Sequence, residues 1–264
     1  MKGPLFYSKI LLFGEYGIIE DSKGLSIPYN FFNGALKIPD SVSEKSSQSN
    51  LILADFCLYL KGLKEIDLDL SLFETHINKG LYFDSSIPKG YGIGSSGALV
   101  AAIYDRYSNN KITVLENLTR EKLLVLKTIF SKMESFFRGK SSGLDPLNSY
   151  LSIPILIKSK DDINVTGIPS QKSNGAGAIF LIDSGKTGST APMVSIFMEK
   201  MKSDGFRKMI SSQFIKHTNL CVDSFLNGDV KNLFDNTKKL MYKINFDQDR
   251  IKWEKVHKAL IHSC

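Results

Sequence analysis

Pro88-Lys89-Gly90-Tyr91-Gly92-Ile93-Gly94-Ser95-Ser96-Gly97-Ala98 is the stretch from which the rest of the chain is read. Gly90, Gly92 and Gly94 stand at alternate positions, allow backbone angles that other residues avoid, and let the main chain come close to a ligand. Backbone N–H groups in such a loop point into a concavity beside the positive end of the following helix, a ready place for phosphate. Ser95 and Ser96 add hydroxyls that can bond a phosphate oxygen or ligate a hard cation. Leu81-Tyr82-Phe83 before the loop reads as extended, and Ala98-Leu99-Val100-Ala101-Ala102-Ile103-Tyr104 after it reads as helix. A phosphate loop at a strand-to-helix junction is therefore expected; the plainer alternative is a glycine turn without a ligand.

The chain has 264 residues, room for one large or two modest domains, and 42% hydrophobic residues can bury an ordinary core. A net charge of +7 suits an anionic partner. The lysines are spread rather than clustered, and no basic run alternates with aromatics, so a nucleic-acid platform is not expected. Cys57, Cys221 and Cys264 are odd in number and far apart, which fits reduced thiols in a cytoplasmic protein better than a disulfide framework. Neither a signal peptide nor a membrane span is expected, because no apolar run is long enough and no cleavage pattern follows the start. Composition does not fix an oligomeric state.

Residues 5–13 read as a strand with Lys9 as an odd cation inside it, either at an edge with its head in water or aimed into a cleft. Gly14-Glu15-Tyr16-Gly17 breaks the strand and Ile18-Ile19 resumes it. Residues 24–27 and 35–38 are short extended segments around a turn-prone stretch at 28–34, and residues 40–50 are a polar loop. Residues 51–60 form a helix with Asn50 as cap, and the alternation over 67–73 reads as a half-buried strand. Residues 119–137 form the clearest amphipathic helix, with Leu123, Leu126, Phe130, Met133 and Phe137 on one face. Helix geometry alone puts Glu134 at the rim of its solvated face. Leu144-Asp145-Pro146-Leu147-Asn148 reads as a short turn into a strand over 151–157. A domain boundary near residue 172 divides the chain into 1–172 and 173–264, the second part opening on a strand at 178–182. Helices over 191–201, 206–226, 230–242 and 250–261 follow.

Two further segments look like phosphate loops and are not. Ser184-Gly185-Lys186-Thr187 lacks the earlier glycine of a P-loop, with Phe180 in its place, and Asn174-Gly175-Ala176-Gly177 leads into a strand. His76, His217, His257 and His262 show no metal-ligand spacing and read as surface residues.

Three stretches together resemble the GHMP kinases. Ser8-Lys9-Ile10-Leu11-Leu12-Phe13-Gly14-Glu15-Tyr16 is similar to the family's first strand and its Gly-Glu turn. The glycine-serine loop is similar to the family's ATP-binding motif, and Ser142-Gly143-Leu144-Asp145 to the segment that carries a catalytic aspartate. Within the family the mevalonate kinases are nearest, with Glu134 at the separation before Asp145 where they carry a magnesium-binding glutamate, and phosphomevalonate kinases are the close rival. The resemblance implies an α+β two-domain fold: an N-terminal ribosomal-protein-like α/β domain that binds ATP, then a ferredoxin-like C-terminal domain.

It also implies roles. Residues Lys89, Gly90, Tyr91, Gly92, Ile93, Gly94, Ser95, Ser96, Gly97 and Ala98 would hold ATP, and Ser96 with Glu134 would ligate Mg2+. Asp145 would take or orient the proton of the acceptor hydroxyl, with Lys9 beside it to stabilise the forming alkoxide. Glu15, Tyr16 and Gly143 would lie near a small-molecule acceptor, mevalonate first, placing the chain among isoprenoid-precursor enzymes. Gly97 stands where the family usually has Ala, a change expected to be tolerated; Tyr16 replaces the His of mevalonate kinases, and Arg138-Gly139 their His-Gly. The family's third glycine-rich motif has no counterpart before Cys264, so the second domain is expected to be truncated. That departure leaves a non-catalytic nucleotide-binding protein as the contrasting expectation, and a plain structural domain as the third.

Overall fold

Phe6–Phe13 (β1) and Gly24–Lys37 (β2) form the antiparallel pair from which the sheet is built. The computed structural model describes residues 3–41, 43–113, 118–169, 187–188 and 190–243. Tyr82–Ser85 (β3) pairs with residues 34–37 at one end of β2, and Ile155–Ser159 (β4) with residues 24–26 at the other. Asp162–Val165 (β5) pairs with β4, and every pairing is antiparallel. Five helices accompany this sheet: Glu44–Lys61 (α1), Leu70–Asn78 (α2), Ser95–Tyr107 (α3), Arg120–Arg138 (α4) and Leu144–Leu151 (α5).

α3 is the centre of the core. Residues 97–104 are all buried, so the helix is apolar on every side, as a fully enclosed helix must be. It packs on α4, α5, β1 and β2, and one continuous cluster joins Leu36, Phe56, Phe73, Ile103, Phe130 and Leu147 around it. Thr190–Lys200 (α6), Asp204–Met209 (α7), a π-helical turn at Ile210–Ile215, Lys216–Leu226 (α8) and Val230–Lys243 (α9) form the second part. Its smaller core holds Phe197, Met201, Ile210 and Phe214, with Tyr16 of the first part packed against it. Lys23 ties the two parts together: its backbone N–H donates to Asn219 Oδ1 (2.7 Å) and its ammonium meets Asp223 at 2.5 Å.

Several elements differ from the sequence expectation, each for a physical reason. The stretch expected as two short segments around a turn is one 14-residue strand, β2; Tyr7 opposes Asn33 while Ser8 opposes Tyr29, so a bulge absorbs the turn-prone residues between. Ile18-Ile19 lies in a 3-10 turn, Gly17–Glu20, rather than a resumed strand. Helix α1 begins at Glu44 because Ser43 and Ser46 form a reciprocal capping box, and Asn50 bonds the carbonyls of Ile77 and Leu81 instead of capping. The alternating 67–73 stretch is helical from Leu70: Asp69 accepts the Leu72 N–H at 2.8 Å, and Leu70, Phe73 and Ile77 step by three and four into the core. Leu144–Leu151 is a helix, not a turn, with Pro146 in its first turn where a missing N–H costs nothing.

Neither of the two described histidines is a plain surface residue. His217 is buried against Asn236 Oδ1 (2.8 Å), and half-buried His76 meets the Tyr107 hydroxyl (2.9 Å). Cys57 and Cys221 are buried free thiols. Among the described residues no helix is long and apolar enough to cross a membrane. The boundary near 172, the strand at 178–182, the 174–177 glycines, most of the Ser184–Thr187 segment, the helix at 250–261, His257, His262 and Cys264 lie outside the described residues.

Removing the α2 cap with Asp69→Ala is expected to cost about 1 kcal/mol, read as a lower midpoint of urea unfolding with an unchanged slope.

Candidate functional site

The glycine loop is pinned to β1. Lys9 N–H donates to the Ile93 carbonyl at 3.0 Å, and Gly94, at φ +86°, lies so close that a Cβ would come within 3.0 Å of Lys9 Cγ. A side chain there would be strained in conformation and crowded at once. Gly90 accepts a hydrogen bond from Gly188 N–H at 2.9 Å, joining the loop to the segment before α6. Lys89, Gly90, Tyr91 and Gly92 are exposed, Ile93, Ser95 and Ser96 half-buried, and Gly94, Gly97 and Ala98 buried. The expected loop is therefore an open outer arc leading into a partly buried first turn of α3. The first N–H groups of α3 have no partner within the helix, and a helix start of this kind suits an anion.

Ser96 carries this turn to a buried carboxylate. Its Oγ donates to Glu134 Oε1 at 2.8 Å, and Ser141 Oγ donates to Glu134 Oε2 at 2.5 Å. Glu134 is only 2% exposed, contrary to the helix-rim expectation. It flanks Met133 on α4, and the buried surface of that helix is wide enough to include both because α3 and α5 pack against it. Burial pushes the Glu134 carboxyl above its ordinary range and the charge of Asp145 adds to this, while the serine hydroxyls and Arg138 act in the opposite sense.

Asp145 enters from the first turn of α5. Lys9 Nζ stands 2.8 Å from Asp145 Oδ1, and both groups are largely withdrawn from solvent. Thus Lys9 is the cation aimed into the site rather than one at an edge with its head in water. Two glycines set this approach. Gly143 sits at φ +75° against α4, where a Cβ would fall 2.1 Å from the Lys127 carbonyl oxygen. Gly97 faces α5 so closely that a Cβ would lie 2.8 Å from both Asp145 C and Pro146 N. The glycine is more than a tolerated replacement for alanine here, because the first turns of α3 and α5 meet through it.

Glu15 and Tyr16 stand at the end of β1 beside this group. The open Glu15 carboxyl still lies within a concave protein wall; that desolvation raises it above its ordinary range, with Lys9 opposing and Asp145 reinforcing. Tyr16 adopts φ +59°, a costly conformation for a bulky side chain, and stacks on Phe197 at 5.4 Å between ring centres. A cavity of about 260 Å³ opens here, walled by Leu11, Glu15, Tyr16, Phe197, Phe214 and Thr218 among others. The π-helical turn supplies Phe214, and such turns recur at functional sites.

The structure thus brings together four residues expected from the sequence, Lys9, Ser96, Glu134 and Asp145, with Glu15 nearby. Ser141 and Arg138 join this group without having been expected there. Arg138 Nε lies 3.2 Å from Ser96 Oγ and 3.6 Å from Glu134 Oε1, and Arg138 Nη2 lies 3.9 Å from Asp145 Oδ2. The available signal was its position four residues after Glu134 on one helix, which puts the two side chains on the same face. Among the described residues no three His, Cys, Asp or Glu side chains gather as a metal cage. Ser96 and Glu134 nonetheless offer two hard oxygens close together, a donor set that fits Mg2+, which takes few protein ligands and completes its shell with phosphate and water.

No family model and no curated protein matches the chain by sequence. Solved structures match it in shape. A mevalonate kinase superposes with a TM-score of 0.51 at 14% identity, over 94% of this chain and 81% of that one. The Methanococcus jannaschii mevalonate kinase gives 0.50 at 15% identity, over 92% and 79%. Lactococcus lactis galactokinase, solved with galactose, gives 0.51 at 14%, over 92% and 75%. The chain thus has the α+β fold of these kinases, as the resemblance implied.

Gly97→Ala is expected to force α3 and α5 apart and to destabilise the protein by roughly 1–3 kcal/mol, the usual cost of overpacking, measured by chemical denaturation. At Gly92 an added Cβ would meet nothing within 4 Å, so a substitution there tests conformation alone; Gly92→Ala should cost less.

Proposed function

We propose that this chain is an ATP-dependent kinase that phosphorylates the hydroxyl of a small molecule, with mevalonate the acceptor its motifs resemble most. The observation that carries this reading is the Lys9–Asp145 contact at 2.8 Å beside the first turn of α3 and its glycine loop. A carboxylate, an ammonium and an anion-binding helix end converge on one place, and phosphoryl transfer needs positioning and charge neutralisation above all. The shared fold supports the same reading.

Each residue has a task that follows from its surroundings. The backbone of the loop and the N-terminus of α3 bind the phosphates of ATP. Asp145 accepts the proton of the acceptor hydroxyl; the acceptor oxygen forms its new bond to the γ-phosphorus as the bond to the β–γ bridging oxygen breaks, and ADP leaves with that electron pair. Lys9 holds the carboxylate in place and offers positive charge to the oxygen as its proton departs. Ser96 Oγ and Glu134 would hold Mg2+, which supplies charge neutralisation on the phosphates when bound. Glu15 and Tyr16, on the wall of the neighbouring cavity, would contact the acceptor, whose apolar portion suits the leucine and phenylalanine lining. Buried free thiols at Cys57 and Cys221 suit the reducing cytoplasm.

Asp145→Asn removes the proton acceptor while keeping its shape. It is expected to lower turnover by about 10²–10⁴-fold, with ATP binding largely retained. The measurement is coupled ADP release with mevalonate, phosphomevalonate, galactose and homoserine in turn, beside ATP titration by calorimetry. Unchanged turnover in the variant would sink the assignment, and ATP binding without turnover on any acceptor would favour a nucleotide-binding role without catalysis.

A further inference from the structure

We infer that Arg138 is a further catalytic residue, a cation in cis that engages the transferring phosphoryl group. This rests on the kinase reading of the site but assigns a residue that the reading leaves without a task. Arg138 is the last residue of α4, which ends where Gly139 turns to φ +71°. The turn leaves the guanidinium at the rim of the polar cluster, with over a third of the side chain open to solvent.

Its contacts differ in kind from those of Lys9. Lys9 is closely paired with Asp145 and nearly enclosed, whereas Arg138 touches three groups loosely: Ser96 Oγ at 3.2 Å, Glu134 Oε1 at 3.6 Å and Asp145 Oδ2 at 3.9 Å. No contact is a bidentate pair, the geometry in which a guanidinium bonds a carboxylate best. A side chain placed to brace α4 would commit to one partner. Arg138 instead stands over the same oxygens that suit a divalent cation, its Nε toward Ser96 at the start of α3 and its Nη2 toward Asp145 on α5.

The charges explain the placement. Glu134 and Asp145 are two carboxylates near one another, and the charge of Asp145 raises the cost of ionising buried Glu134. Without ATP, Arg138 offsets that repulsion. Were Mg2+ held by Ser96 and Glu134, its charge would offset the carboxylates, and the guanidinium could turn its N–H groups to the γ-phosphate oxygens. Arginine suits this task because its fork matches phosphate geometry and its charge is permanent. In the transfer step written above, Arg138 neither gains nor loses a proton; it neutralises the oxygens of the group in flight between ADP and the acceptor.

The test compares the wild type with Arg138→Gln and Arg138→Lys, titrated separately with ATP and ADP in Mg2+ buffer, acceptor absent. A contact to the γ-phosphate predicts ATP binding weakened about ten- to a hundredfold in the Gln variant, with ADP binding nearly unchanged, and partial recovery in the Lys variant. With the acceptor that the wild type turns over, kcat in the Gln variant should fall about 10²–10³-fold. Equal losses for ATP and ADP, or no loss for either, would overturn the role of Arg138 while leaving the kinase reading intact. Failure of the wild type to bind ATP would overturn both.

Discussion

At Gly97 the first turn of α3 lies against the first turn of α5 so closely that a methyl group would fall 2.8 Å from the carbonyl carbon of Asp145. The close approach makes one site out of three distant parts of the chain. Helix α3 brings the loop and Ser96, α5 brings Asp145, and β1 brings Lys9, held to the loop by the Lys9 N–H to Ile93 hydrogen bond. Gly94 and Gly143 permit the two other close approaches, against β1 and α4. All three glycines act by lacking a side chain, since packed interiors leave no room for even one extra carbon.

Into this tight frame the chain puts charge. Glu134 is buried, its carboxyl pushed upward by desolvation and by Asp145, and two serines hold it in place. Such an arrangement is poor for stability alone, because withdrawing charges from water costs more than loose pairing returns. It suits the proposed role of gathering phosphate and cation, since charges fixed in advance need no reorganisation during a reaction. The apolar cavity beside Glu15 and Tyr16 continues the same surface toward the second part of the chain.

The loop, the helix that follows it and the long amphipathic α4 were legible because each is written in consecutive residues or in a helical period. Lys9, Glu134 and Asp145 became legible through the resemblance of separate motifs. Short elements were not: Asp69 reads as one face of a strand or as a helix cap, and only its bond to Leu72 N–H decides. Asp145 before Pro146 reads as a turn until Gly143 is seen wedged against α4. The polar run from Arg138 to Ser142 carries no period that would mark it in the sequence, yet it delivers Arg138 and Ser141 to Glu134.

By itself, the sequence determined the phosphate-loop pattern, the apolar stripe of α4, and the residue types able to take a proton, neutralise charge and ligate a cation. Those depend on local backbone preference and on side-chain chemistry, which each residue carries wherever it lies. Tertiary structure alone decided that Glu134 is buried, that Lys9 reaches Asp145, that Gly97 must lack a side chain, and that Arg138 faces the site. Each is a statement about distances between segments remote in the chain, and such distances are set by how helices and strands pack.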